Sequence, residues 1–236
     1  MANVLIACEF SGIVREAFRK QGHNAWSCDI LHSEIEGQHI QANILDVLYN
    51  DEVSFYGVPK RWDLMIAHPP CTFLTKAGTR WLFPKGELNK QRYNKGLEAK
   101  DFFLKLLNFD CSRIAIENPV PQKVFNMPTP TQIIQPYEYK HKLKKTTCLW
   151  LKNLPELKPS NIVKPEFYID RKGIRHTKLT GWSKKRKSRT FPGIAEAMAK
   201  QWGKLLPLAQ QLKGGTEKAK LSGTPKGGNG IKPKER

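Results

Sequence analysis

Two side chains that could do chemistry, a cysteine and a glutamate, each come directly after an apolar stretch of this 236-residue chain. Cys71 follows the apolar segment 62–67 after a histidine and two prolines, and Glu117 follows segment 113–116 and precedes Asn118 and a proline. Because proline cannot continue a hydrogen-bonded ladder, both segments are predicted to be strands that end at these residues. Ligands bind at the carboxyl ends of strands in open α/β sheets, so both side chains are candidates for one site.

The types of these residues indicate covalent chemistry. The thiol of Cys71 could attack an electrophilic carbon if its proton leaves before or during the attack; the alternative is a buried structural cysteine. Burial at a strand end predicts a raised pKa for Glu117, which would keep its carboxyl neutral and able to donate a proton to a ring nitrogen. The alternatives for Glu117 are a helix cap or a surface acid. With the amide of Asn118 beside them, these groups suit covalent catalysis on a pyrimidine.

Alternating strand and helix patterns predict an α/β fold with a doubly wound, mostly parallel sheet that would position these residues. The amphipathic segment 92–108 is expected to be the crossover helix between the two strands that end at the site. A helix at 13–20 is expected to be capped by Ser11, and the proline-rich segment 119–136 is expected to be an extended loop. The predicted strands are 4–8, 25–28, a short one near Ile44 within 40–47, 62–67, 113–116 and 146–151, and the last predicted helix is 192–208.

The chain is expected to divide into four regions. Residues 1–151 are predicted to form the catalytic and cofactor-binding α/β domain, residues 152–189 a small basic lobe, and residues 190–212 a closing helix packed on the catalytic domain. Residues 213–236 are rich in glycine, lysine and proline and cannot bury enough apolar surface to offset the entropy of ordering. They are therefore expected to be a disordered basic tail.

The net charge of +19 is distributed very unevenly. Residues 1–139 contain 15 basic and 15 acidic side chains, whereas residues 140–189 contain 16 basic and 3 acidic ones, and residues 213–236 contain 7 and 2. Such asymmetry favours a polyanionic partner, because basic side chains release counterions from phosphates; the alternative is a merely solubilising surface. The candidate nucleic-acid contacts are Lys144, Lys145, Arg175, Lys184, Lys185, Arg186, Lys187 and Arg189. Trp182 among them could stack on a base or anchor the lobe to the core.

Cysteine usage and hydropathy indicate in which cellular compartment the protein acts. Five scattered cysteines without a CxxC spacing indicate neither a disulfide framework nor a zinc site, so no metal is expected. No stretch approaches the roughly 20 apolar residues of a membrane span, and the sequence lacks a secretory leader pattern. A reducing, cytoplasmic location is expected, with no membrane partner.

Several short motifs occur in an order that identifies a resemblance. The chain resembles the DNA cytosine-5 methyltransferase family, particularly its compact, bacteriophage-type members, over most of residues 1–120. The matching pieces are Ala7-Cys8-Glu9-Phe10-Ser11-Gly12 with the following helix, Cys28-Asp29-Ile30, Asn43-Ile44, Pro69-Pro70-Cys71 and Glu117-Asn118-Pro119. A phage-encoded protein of this kind would act in the cytoplasm of a bacterial host.

The resemblance implies a class I methyltransferase fold, a Rossmann-like arrangement, and transfer of a methyl group from S-adenosylmethionine to C5 of cytosine in DNA. Cys71 would attack C6 of the base, Glu117 would engage N3 and the exocyclic amine, and Asn118 would complete the catalytic set. Asp29 would bind the ribose hydroxyls, although an acid at this position could equally cap a helix. The implied cofactor contacts are Phe10, Ser11, Gly12, Asp29, Ile30, Asn43, Ile44 and Pro70.

The chain departs from the family in several places, including a first turn with fewer glycines and a far smaller lobe at 152–189. Asn43 stands where an aspartate is usual. The family's Gln-x-Arg-x-Arg element is absent, and Lys142, Lys144, Lys145 and Thr147 occupy the equivalent stretch. Two other hypotheses therefore stay open: the same covalent activation of C5 acting on RNA or a nucleotide or using another one-carbon donor, and a non-catalytic nucleic-acid-binding protein built on this fold.

Overall fold

A computed structural model describes residues 1–50, 57–177, 179 and 181–206 of the chain. The predicted tail 213–236 and the last residues of the predicted closing helix lie outside these described residues. Within them, the strands are β1 (Asn3–Ala7), β2 (Asn24–Asp29), β3 (His39–Gln41), β4 (Leu64–Ala67), β5 (Ile114–Asn118), β6 (Gln132–Ile134), β7 (Thr147–Lys152), β8 (Phe167–Ile169) and β9 (Arg175–Thr177). The helices are α1 (Ile13–Arg19), α2 (Ile44–Tyr49), α3 (Thr79–Leu82), α4 (Lys90–Leu107), α5 (Lys184–Ser188) and α6 (Pro192–Trp202).

Seven strands form one sheet in the order β3-β2-β1-β4-β5-β7-β6. Strands β1 to β5 pair in parallel, while β7 runs antiparallel to both of its neighbours, β5 and β6. This strand order, with its single reversed strand, is that of class I methyltransferases. The predicted α/β fold with a doubly wound, mostly parallel sheet is confirmed.

The strands are apolar on both faces because helices cover both sides of the sheet. Alternate residues of β1 enter two different cores: Val4 and Ile6 pack with α1 and α6 on one face, while Leu5 and Ala7 pack with α2 and α4 on the other. The central strand β4 is therefore buried over its whole length, and β1 over all but its first residue, which explains their continuous apolar runs in the sequence.

Two elements differ from the sequence-based expectations. The short strand expected near Ile44 lies at His39–Gln41, and Ile44 instead begins α2, whose N-cap is Asn43. The side-chain oxygen Oδ1 of Asn43 accepts a hydrogen bond from the Leu45 amide at 3.1 Å, which is the usual way that asparagine caps the start of a helix. The segment 119–136, expected to be an extended loop, contains the edge strand β6.

The basic lobe contains the β8–β9 hairpin and α5, which do not belong to the main sheet. The segment leading into the lobe packs against the α/β domain, because Leu157 is fully buried in the core and its carbonyl accepts a hydrogen bond from the Tyr139 hydroxyl. Trp182 packs partly buried against the same core, so it anchors the lobe. Among the described residues, no helix is both long and apolar enough to cross a membrane.

Candidate active site

The Pro69-Pro70-Cys71 turn lies beside the end of β5 because β4 and β5 are parallel neighbours, with Ala67 opposite Ile116. The side-chain amide of Asn118, which is 3 % exposed, donates a hydrogen bond of 3.1 Å to the Pro69 carbonyl. The Cys71 carbonyl accepts hydrogen bonds from two amides of the following turn. Both sides of Cys71 are thus fixed, and the role of Asn118 in this structure is to fasten the turn that carries the thiol.

Cys71 is half-buried and carries a neutral thiol. Burial raises the pKa of Cys71, and the negative charge of Glu117 raises it further, while the positive charge of Lys145 partly opposes both effects. The thiol must therefore lose its proton as attack occurs rather than exist beforehand as a thiolate. Cys148 on the adjacent strand also feels the charge of Glu117, but it is only 1 % exposed and belongs to the core.

Glu117 is paired with a histidine. The Nδ1 atom of His68 lies 2.9 Å from Oε2 of Glu117, and the two side chains are 8 % and 13 % exposed. Burial raises the pKa of Glu117, but the hydrogen bond from His68 and the charge of Lys145 outweigh it, so the pKa lies below its ordinary value. The expectation of a raised pKa and a neutral carboxyl is therefore wrong: Glu117 is ionised in the free site.

His68 is a site residue that the sequence-based interpretation missed. It is the first residue after β4, and its Nδ1 also lies 3.5 Å from the Thr190 hydroxyl. Its Nε2 atom is buried without a hydrogen-bond partner among the described residues. The signal was present, because a polar residue between a buried strand and two prolines must point into the same edge as the cysteine that follows.

Lys145 lies near the same groups, in the stretch where the sequence lacks the family's arginine element. Its Nζ atom donates to the Lys187 carbonyl at 2.9 Å and lies 5.7 Å from the centre of the Phe191 ring. Its positive charge lowers the pKa of both Cys71 and Glu117. Lys145 was predicted to contact nucleic acid. In the structure its charge also acts on both candidate catalytic side chains, so it belongs to the candidate active site.

Replacing Lys145 with glutamine is expected to raise the pKa of Cys71 further, since the cation that opposes this rise is removed. The pH at which alkylation of Cys71 by iodoacetamide is half-maximal should move upward, and the rate at neutral pH should fall about tenfold for each unit by which the pKa rises, because only the thiolate reacts with this reagent. The measurement is the pH profile of this alkylation, followed by mass spectrometry of the Cys71 peptide from the full-length protein. The exposed neighbour Lys144 is the matched control; an equal shift in Lys144→Gln would contradict a specific role for Lys145.

The turn after β1 is built around Glu9, which the sequence-based interpretation also missed. Its carboxylate accepts hydrogen bonds from the Val14 amide at 2.7 Å, the Arg15 amide at 3.2 Å and the Ser11 hydroxyl at 3.1 Å. The expected Ser11 cap is limited to one contact of 3.4 Å with the Ile13 amide. Glu9 is thus the principal cap of α1, because a carboxylate can satisfy several of the helix's free amides at once.

Arg15 organises the loop that follows β2. The side chain is fully buried, and its guanidinium donates to the carbonyls of Ile35 at 2.6 Å and Glu36 at 3.0 Å and to the hydroxyls of Ser27 and Ser33. Gly12 makes room for it: with φ near +70°, a β-carbon there would lie 2.9 Å from Arg15 Nη2. The space at this glycine is therefore used by the protein's own arginine.

The end of β2 fits a ribose-containing cofactor. Oδ1 of Asp29 accepts a hydrogen bond from the Leu31 amide at 2.9 Å, so this acid closes a turn and does not cap a helix. Its second oxygen has no partner among the described residues, and the neighbouring Ile30 is 70 % exposed. A free carboxylate oxygen suits a ribose hydroxyl, and an exposed apolar side chain suits a base.

The other predicted cofactor contacts differ from one another in exposure and in the hydrogen bonds that they make. Phe10 and Ser11 are almost fully buried in the turn after β1. Ile44 is 3 % exposed, and the carbonyl oxygen of Asn43 is already used by α2. Pro70 is exposed beside Cys71. The strand-end residues thus share one edge of the sheet, while Asn43 and Ile44 serve the start of a helix.

Two of the predicted nucleic-acid contacts form ion pairs with an acid of the α/β domain. Lys185 Nζ and Arg189 Nη2 lie 2.9 and 2.7 Å from Oε1 of Glu34, and the Lys185 ammonium lies 5.3 Å from the centre of the Phe10 ring. Partial burial raises the pKa of Glu34, but these two hydrogen bonds outweigh it and keep the carboxyl ionised. Helix α5 is consequently tied to the loops that follow β1 and β2.

The remaining basic side chains of this set face solvent where they are described. Arg175 lies over the Phe167 ring at 3.7 Å, and Arg186 lies over the Trp182 ring at 3.7 Å. Lys144 and Lys187 are exposed, and Lys184 begins α5. Arg175, Arg186, Lys144 and Lys187 therefore remain available to a polyanion.

No protein-family model matches this chain, and no curated protein matches it. The chain is similar in structure to a candidate DNA modification methyltransferase encoded within an Escherichia coli prophage, with 14 % sequence identity and a TM-score of 0.40, over 70 % of this chain and 52 % of the other. It is also similar to the methyltransferase EhMeth of Entamoeba histolytica, with 14 % identity and a TM-score of 0.36, over 72 % of this chain and 60 % of the other. The chain thus spans between half and two thirds of the length of these two proteins.

Proposed function

We propose that this protein is a methyltransferase that transfers a methyl group to C5 of cytosine in DNA, through a covalent adduct between Cys71 and C6 of the base. One observation carries the proposal: a half-buried thiol and a buried, ionised glutamate stand at the ends of two adjacent parallel strands, in a turn fastened by Asn118. The support comes from these site residues and not from the distant structural likenesses.

The proton balance of the attack follows from the two pKa shifts. Cys71 is neutral and Glu117 is ionised, so the carboxylate can accept the thiol proton as sulfur attacks C6. The carboxyl then delivers a proton to N3, which compensates the electron density that moves into the ring as the sulfur–carbon bond forms. C5 becomes nucleophilic without any free thiolate having existed.

His68 positions Glu117 for this exchange. An ionised carboxylate only accepts hydrogen bonds, so the His68 Nδ1–H donates to Oε2 and fixes the carboxylate plane. Oε1 has no hydrogen-bond partner within the described part of the chain and is free for the base. The arrangement holds one oxygen and offers the other to N3 or the exocyclic amine.

S-adenosylmethionine, when bound, would supply the methyl group. Asp29 would hold its ribose, with Ile30 and the turn of Phe10, Ser11 and Gly12 forming the neighbouring walls. After transfer, which would release S-adenosylhomocysteine, C5 loses its proton to solvent. The bond between sulfur and C6 then breaks while Glu117 takes back the N3 proton and returns it to the sulfur, which restores the aromatic ring, the carboxylate and the Cys71 thiol. The target base must leave the stack to enter this edge of the sheet.

The basic side chains support DNA as the polymer. Lys187, Arg175 and Arg186 are exposed in the lobe anchored beside the site, and Lys144 is exposed in the segment before β7. Positive charge of this kind binds the phosphate backbone irrespective of sequence.

The test is product analysis with the full-length protein, unmethylated DNA and S-adenosylmethionine that carries an isotopically labelled methyl group. Digestion to nucleosides and mass spectrometry should find labelled 5-methyldeoxycytidine. Parallel arms contain RNA or free nucleotides instead of DNA, and label found only there would overturn the assignment to DNA. Salt-sensitive DNA binding with no label and no cofactor binding by calorimetry would favour the non-catalytic alternative.

A further inference from the structure

A surface of aromatic and cationic side chains follows Cys71 directly and is not used by the proposed chemistry. Trp81, on the short helix α3, is 50 % exposed, and Phe73 is half-buried two residues after the cysteine. Together with Arg80, Arg92 and Lys95 they form what we call the Trp81 surface. An exposed tryptophan surrounded by cations is unusual for a face with no partner, because such rings are normally buried.

The cations of this surface are arranged around the rings. The Arg80 guanidinium lies 4.0 Å from the centre of the Trp81 ring, and the Arg92 guanidinium lies 4.9 Å from Phe73 and 5.8 Å from Trp81. Arg92 Nη2 also donates to the Thr72 carbonyl at 2.8 Å, which ties the surface to the residue after Cys71. Arg92 Nε is buried with no hydrogen-bond partner among the described residues.

The local charge is strongly positive although the first 139 residues are neutral overall. Residues 72–96 contain six basic side chains and one acidic side chain. Within the described chain, none of the six basic residues forms an ion pair with an acid. Their charge is therefore not neutralised inside the protein, and it remains available to phosphates.

The rings and cations also line a shallow cavity of about 250 Å³, together with Asn89 and Gln91. This volume is below the roughly 300–1,000 Å³ of pockets that enclose a whole small-molecule ligand, so the cavity suits a single ring system whose remainder stays outside. The Gln91 amide at its rim can donate and accept hydrogen bonds at a base edge, whereas the Asn89 side-chain oxygen already caps α4 by accepting from the Arg92 amide at 3.0 Å.

We infer that the Trp81 surface binds unpaired DNA bases next to the target cytosine, with Trp81 and Phe73 stacking on bases and the arginines contacting phosphates. The inference rests on the proposed function, and it specifies the strand state of the substrate. Unpaired bases are favoured because stacking on an aromatic side chain needs an open base face, and both faces of a base inside a duplex are covered. Duplex binding needs only the cations.

The experiment measures binding of the full-length protein to a fluorescent oligothymidine of about 15 nucleotides, a length that spans one single-strand binding groove. Because this strand contains no cytosine, binding is independent of Cys71 chemistry. Trp81→Ala should weaken the affinity at least about fivefold, as expected when one stacked base is lost. Trp81→Phe, which keeps a ring, should restore most of it. Leu97→Ala, on an exposed apolar residue of α4, is the matched control and should change little.

Two results would overturn the inference: unchanged affinity of Trp81→Ala for the single strand, or an equal loss for a hairpin duplex of the same length. Thermal unfolding of each variant shows whether it is folded, and Phe73→Ala provides a second, independent substitution with the same expected selectivity. Failure of the protein to form an adduct on DNA that contains 5-fluorocytosine would refute the proposed chemistry alone. It would leave the measured single-strand affinity and its dependence on Trp81 unaffected.

Discussion

Cys71→Ala is expected to abolish both methyl transfer and covalent trapping, with a loss of rate on the order of 10⁴-fold or more, as is typical when a catalytic nucleophile is removed. Nothing else described at this edge can replace the thiol. Cys148 is 1 % exposed, and burial together with the charge of Asp29 raises the pKa of Cys28 to about 12. The same two causes raise the pKa of Cys8, directly after β1, far above its ordinary value. None of these three thiols could both reach a base and release a proton at neutral pH.

The measurement combines two readouts on the full-length protein. Transfer of a labelled methyl group gives the rate, and a denaturing gel shows the adduct with DNA that contains 5-fluorocytosine, because fluorine at C5 cannot leave as a proton does. Cys71→Ser keeps the shape of the side chain and should also be inactive, since a hydroxyl is a far weaker nucleophile. Cys111→Ala, on a thiol that contacts the Trp62 and Arg113 carbonyls at the opposite end of the sheet, is the control. Methyl transfer by Cys71→Ala at a rate near that of this control would refute the covalent mechanism.

Arg15→Met is expected to destabilise the protein by about 3–5 kcal/mol, the usual cost of removing one partner from a buried charged network. The guanidinium supplies donors to two carbonyls and two hydroxyls and pairs with Glu16 at 2.9 Å, and methionine would remove all of these hydrogen bonds from a charged group. The loop that carries Ile35 and Glu36 should loosen as well. Because Glu34 holds Lys185 and Arg189 from this loop, the attachment of α5 should weaken with it.

Urea unfolding followed by circular dichroism measures the free energy of unfolding. Arg19→Met is the matched control, because Arg19 is on the same helix, its side chain is 41 % exposed, and its ion pair with Glu16 is a surface pair worth about 0–1 kcal/mol. A loss below about 1 kcal/mol for Arg15→Met, equal to that of the control, would show that water replaces the guanidinium and that the network is not important for stability.

The strands that carry the site could be predicted because their signals are local. A buried apolar run that ends at proline gave β4 and β5 correctly, and with them the positions of Cys71 and Glu117 at one edge. The same reasoning failed for the protonation state of Glu117. Its partner His68 is 49 residues away, and only the register of two parallel strands brings the two side chains together.

Three other features could not be predicted, because the sequence around each of them looks ordinary. An arginine within a helix is ordinarily exposed, so nothing marked Arg15 as buried. The strand β6 has three residues, and proline-rich flanks hide its pattern. The Trp81 surface was hidden by summing charge over 139 residues, because the acids of that half lie elsewhere along the chain. A sliding count of charge over about one helix length would have found it.

The packing of α6 has a consequence for synthesis of the protein. Val14 and Phe18 of α1 are covered by Ile194, Met198 and Trp202 of α6, so one face of the first helix is completed only by residues near position 200. At a translation rate of 5–20 residues per second, this face emerges from the ribosome roughly 10–40 s before its cover. The nascent chain must carry an exposed apolar stripe for that time, and release of a chain truncated before α6 would leave the stripe open to aggregation.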